Sequence, residues 1–177
     1  MVIHRSSIRK DIISIFSDPA IVDCLLEVQV LDEQGRPEKG EGKGVMLDML
    51  TNFWQDCFNS LMVGSSEKIP FIRHDLQKKE WEAVARVLFF GYKNCSYFPL
   101  KLSQLFVVTC LFGEEDITIE FLLESFRKYI ASDDREVCIK SFSYIFQTFR
   151  LFRFFIGLHI KNLFSFFFEM AMKHGNT

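Results

Sequence analysis

Between Trp81 and Asp116 the chain reads WEAVARVLFFGYKNCSYFPLKLSQLFVVTCLFGEED, and this stretch limits the fold more than any other. Trp81, Val84, Ala85, Leu88, Phe89 and Tyr92 stand three and four residues apart, which sets them on one stripe of a helix with 3.6 residues per turn. Gly91 sits near the end of that stripe. A polar break is expected at Lys93 to Ser96, and Phe98-Pro99 then forces extended backbone before a second helix can begin. That second helix runs through Leu102, Leu105, Phe106, Thr109, Cys110 and Phe112, and Gly113 stops it as a glycine cap. Residues 89, 90, 98, 106, 107, 108, 111 and 112 are all large and apolar. The expectation is therefore two helices that are hydrophobic nearly all round and form the buried centre of a larger body.

At 177 residues the chain can bury one sizeable core and is short for two domains. Its 21 Lys and Arg against 23 Asp and Glu give a formal net charge of -2, so no global field points to a nucleic-acid partner. The five cysteines, at 24, 57, 95, 110 and 138, form no C-x-x-C pair. Their odd number argues against a disulfide frame and against a zinc knuckle, and fits a reducing, cytoplasmic compartment. Arg5, Arg9, Lys10 and Asp11 crowd the amino terminus, which lacks the apolar core of a secretory signal. Asn94-Cys95-Ser96 matches a glycosylation sequon, without meaning for a cytosolic chain.

Along the chain, Arg5 to Ser17 reads as a helix with Ile8, Ile12, Ile15 and Phe16 on one face, ended by Asp18-Pro19. Cys24 to Leu31 reads as a strand, since Leu26, Val28 and Val30 alternate with Leu25, Glu27 and Gln29. Asp32 to Gly44 holds four glycines, a proline and a run of charges. It is a loop, and neither phosphate-binding glycine pattern can be fitted to it. Val45 to Met62 is a helix with Met49, Phe53, Trp54, Phe58 and Leu61 as its stripe. Ile69 to Ile72 suits a short strand, and Ile119 to Ile130 a helix whose approach, Glu114 to Asp116, is acidic as the positive end of a helix dipole favours.

Phe16-Ser17-Asp18-Pro19, the strand closing on Asp32-Glu33-Gln34-Gly35, the turn ending Gly44-Val45 and the helix with Phe53-Trp54 occur in an order that resembles a known family. With Glu80-Trp81, Arg86-Val87-Leu88, Gly91-Tyr92, Phe98-Pro99-Leu100 and Leu111-Phe112-Gly113, residues 3 to 140 look like the opening of the amino-terminal lobe of HECT-type ubiquitin ligases, in the divergent form abundant in fish. The resemblance implies an α+β, predominantly helical fold with short strands near the amino terminus. It implies a part in protein ubiquitination, with a ubiquitin-conjugating enzyme and ubiquitin as partners. Met46-Leu47-Asp48 keeps only the acid of the polar pair usual after the glycine-valine turn. The subdomain that docks the conjugating enzyme is not recognisable, and the carboxy-terminal lobe with its thioester cysteine is not in these residues. The expected product is a lobe fragment of a ubiquitin-protein transferase, inactive alone.

No catalytic, cofactor-binding or metal-ligating set is assigned. Thr109-Cys110 resembles the dipeptide around the family's acceptor cysteine, but Cys110 lies late in an apolar helix without a nearby His, Lys or Arg. A thiol there is expected to pack in the core with a raised pKa. His4, His74, His159 and His174 are scattered and read as surface or cap residues, and His74-Asp75 as loop.

From Ser141 to Thr177 the composition changes. This segment holds 10 of the 21 Phe, four basic residues and one acid, Glu169. One reading is translated intron or shifted frame. The other is an amphipathic helix, with Ile145, Phe149, Phe152, Ile156, Ile160, Leu163, Phe167 and Met170 at helical spacing and Arg150, Arg153 and Lys161 largely elsewhere. Those cations interrupt any membrane-spanning window. The second class of function is thus a non-enzymatic module whose Phe-rich helix binds a membrane surface or a partner protein. The segment is expected to be dispensable for the fold of residues 1 to 140 and harmful to solubility, the alternative being that it packs on Trp81 to Phe112 and completes the lobe.

Overall fold

A computed structural model describes residues 1–40, 42–71, 77–113 and 117–131. The described fold is α+β and predominantly helical. It divides into two compact units, one from the described residues of 1–61 and 73–99, the other from those of 62–72 and 100 onward. The Trp81–Asp116 stretch is therefore shared between the units instead of forming one buried centre. The division falls after Pro99, in the non-helical connection that begins at Ser96.

The first unit opens with strand β1 (Val2–His4), which pairs in parallel with β2 (Gln29–Leu31). Ile3 lies opposite Val30, and both side chains are buried. The strand expected from Cys24 is shorter than its alternation suggests. Leu26 and Val28 are indeed half-buried between exposed Leu25, Glu27 and Gln29, but the pairing starts only where β1 can supply a partner. Between the strands, a 3-10 turn (Arg5–Ser7) leads into α1 (Ile8–Ile15), which buries Ile8 and Ile12. Asp18 then caps a second 3-10 turn (Pro19–Asp23) by accepting from the Ala20 amide at 2.9 Å, with Pro19 where its missing N–H costs nothing.

After β2 the Asp32 carboxylate gathers the amides of Gln34 and Arg36, each at 2.8 Å, and closes a tight turn. Helix α2 (Lys43–Ser60) starts two residues before the expected Val45 and buries Met46, Met49, Leu50, Phe53, Trp54, Cys57 and Phe58. Helix α3 (Lys78–Cys95) opens with a capping box in which Gln77 and Glu80 satisfy each other's backbone amides. Trp81, Val84, Ala85 and Leu88 are buried as their spacing predicts. Two expectations fail at its far end. Tyr92 is 66% exposed, and the helix continues through Lys93 and Asn94 to Cys95, ending at Ser96 with φ 53°. Those polar residues mark an outer face, not a break: Lys93 Nζ reaches Asp23 at 3.1 Å, and Asn94 bonds back to the Phe90 carbonyl.

The second unit contains the hairpin β3 (Met62–Val63) and β4 (Ile69–Pro70), with helices α4 (Gln104–Phe112) and α5 (Ile119–Tyr129). Ser103 caps α4 through the Phe106 amide, and Thr118 caps α5 through that of Phe121. Gly113 ends α4 with φ 85°, a conformation that glycine takes without strain. The carbonyls of Lys128 and Tyr129 at the end of α5 accept N–H groups from Ser65, Ser66 and Glu67 at 2.8 to 3.1 Å, so the hairpin loop satisfies acceptors that a helix end leaves open. Gly64 sits at the tightest point, with φ 119°; a Cβ there would lie 2.2 Å from the Glu67 carbonyl oxygen. Helix α4 is not buried all round. Leu105, Phe106, Thr109 and Cys110 face inward, Val107, Val108 and Leu111 are half-buried, and Phe112 is 69% exposed. The expectations for Glu114 to Asp116, His74-Asp75, Cys138 and Ser141 to Thr177 lie outside the described residues.

Candidate functional site

The amino-terminal turns of α1 and the outward stripe of α2 border an open cleft of about 470 Å³ within the first unit. Asn52, Gln55, Asp56 and Asn59 line one side at helical spacing, and Arg5 to Lys10 the other. Arg5 is held in a fork. Its Nε and Nη2 donate to the two Glu38 oxygens at 3.0 and 2.6 Å, and Nη1 to Asp48 at 2.7 Å. These hydrogen bonds push the Arg5 pKa up and that of the Glu38 carboxyl down. Arg9 lies 3.5 Å from Asp56 and also donates to the Ser60 hydroxyl. Two of the three cations at this cleft thus carry acidic partners, and it does not gather positive charge for an anionic ligand.

A hydroxyl, an imidazole and a carboxylate meet at its edge, in an order unsuited to nucleophilic catalysis. The Ser7 hydroxyl donates to Asp11 Oδ1 at 3.1 Å, while Asp11 Oδ2 sits 2.8 Å from both the His4 ring and the His4 amide. The carboxylate stands between the other two, so the imidazole does not face the hydroxyl whose proton it would have to take. Desolvation alone would raise the Asp11 pKa, but the His4 and Ser7 hydrogen bonds outweigh it and hold the carboxyl below its ordinary range. Sequence spacing did not reveal this pair, because seven residues across a 3-10 to α junction match no single helical repeat. His4 is still a surface residue and the N-cap position of the 3-10 turn, as its scatter in the sequence suggested.

The second unit holds a buried polar chain. Glu67, 6% exposed, accepts from the Ser125 hydroxyl at 2.7 Å, and Ser125 in turn lies 3.1 Å from the Ser103 hydroxyl. Lys128 Nζ approaches the other Glu67 oxygen at 3.4 Å. Each member is satisfied by the next, which fits a structural network better than a reactive one.

Of the four described cysteines, three are buried and only Cys24 is exposed. Desolvation in the apolar face of α4 pushes the Cys110 thiol up to about 12, with no neighbouring cation to oppose it. Burial raises Cys57 still further and Cys95 as well, Lys43 pulling the latter slightly back. A thiol so raised carries almost no thiolate at neutral pH and is a poor nucleophile. Among the described residues no group of three or more His, Cys, Asp or Glu could hold a metal ion, and no helix is long and apolar enough to cross a membrane. Compared with known family models, curated proteins and solved structures, the chain matches none.

Proposed function

We propose that residues 3 to 140 form the opening part of the amino-terminal lobe of a HECT-like ubiquitin-protein transferase, serving protein ubiquitination as a structural part that forms no thioester itself. The observation that carries this reading is where the residues of the resemblance meet. Arg86, from Arg86-Val87-Leu88, is buried and donates to the Phe16 carbonyl of Phe16-Ser17-Asp18-Pro19 at 3.0 Å across a separation of 70 residues. Phe16 also sets its ring edge against Phe90 at 5.4 Å between centroids. Phe53, Trp54 and Trp81 of the pattern lie in the same unit's core, whereas its Tyr92 and Phe112 are exposed. Motif residues that pack on one another define a scaffold, and the raised thiols of Cys57, Cys95 and Cys110 agree with a lobe that leaves transfer to another cysteine.

Two measurements test it. Messages sequenced past the codon for Lys140 should continue in frame into a carboxy-terminal lobe; if every message encodes the Phe-rich segment instead, the reading fails. Purified chain incubated with ubiquitin, activating enzyme and conjugating enzymes should yield no thiol-reducible ubiquitin adduct, and such an adduct on any described cysteine would overturn the structural role.

A further inference from the structure

We draw no further inference here: the strongest candidate, the open cleft between the first turns of α1 and the outward stripe of α2, belongs to the site already described, and with Arg5 committed to Glu38 and Asp48 and Arg9 to Asp56 nothing in the structure points to a ligand for it.

Discussion

The two units solve the same problem with different chemistry. The first hides large apolar side chains, Ile3, Ile12, Phe16, Met49, Leu50, Phe53, Trp54 and Val87 among them, and keeps most of its charges in ion pairs near the surface. Among the described residues, the second contributes Leu105 and Thr109 to the largest fully buried side chains, and four of the five buried polar or charged residues described: Glu67, Ser103, Thr109 and Ser125. Apolar burial is non-directional and tolerates small displacements, while a buried carboxylate needs its partners at fixed distances. The first unit should accordingly respond to lost volume, and the second to lost geometry.

The largest effect should come from volume. Phe53→Ala should destabilise the first unit by about 3–5 kcal/mol, the usual cost of truncating a fully buried Phe, read from denaturant titration followed by Trp fluorescence. Next is the Gly64→Ala change, expected to cost the second unit about 2–4 kcal/mol, because the new Cβ meets the Glu67 carbonyl and the φ of 119° is strained for any L side chain. Gly35→Ala in the first unit, where φ is also positive but nothing lies within 4 Å, should cost only about 1–2 kcal/mol. Equal losses at the two glycines would erase the distinction between the units.

Smaller is the effect of Ser125→Ala, about 1–3 kcal/mol, since it leaves a Glu67 oxygen buried with one partner fewer. Hydrogen exchange at Ser65, Ser66 and Glu67 should speed up with it, as these amides cap α5 beside the same network. The smallest concerns thiols. A group whose pKa is raised on folding stabilises fully below its unfolded value and loses that contribution as pH climbs toward the folded one. Cys110 should thus leave stability unchanged up to about pH 8.5 and erode it from there toward about 12. At pH 8 iodoacetamide should label Cys24 readily and Cys110 hardly at all. Fast labelling of Cys110 in the folded chain would mean that the α4 core is open.

What could be read in the sequence follows the range of each interaction. Helices α2, α3 and α5 were legible within two or three residues of their ends because apolar spacing is a local signal repeated over several turns. Strands β1 and β3 were not, since three and two residues show no alternation and β3 lies directly behind the apolar run of α2. The Glu67–Ser125 bond joins residues 58 apart, and nothing near either one announces the other. Cys110 was placed correctly in the core because its neighbours alone decide its surroundings. Tyr92 was misplaced for a similar reason: stripe membership fixes a side of the helix but not where the packing ends.

The chain leaves the first unit after Leu61 and re-enters it at Arg73, ahead of α3, so each unit is interrupted by the other in sequence. During synthesis, the pocket of carbonyls around Phe16 waits for Arg86, and β3–β4 waits for the carbonyl end of α5. Closing loops of such length precedes the gain from the contacts they permit, which slows folding relative to a chain of local pairings and leaves α1 and α2 incompletely covered in the meantime. A released product truncated near residue 75 would hold the apolar stripe of α2 without the helix that shields it, and should be readily captured by a chaperone.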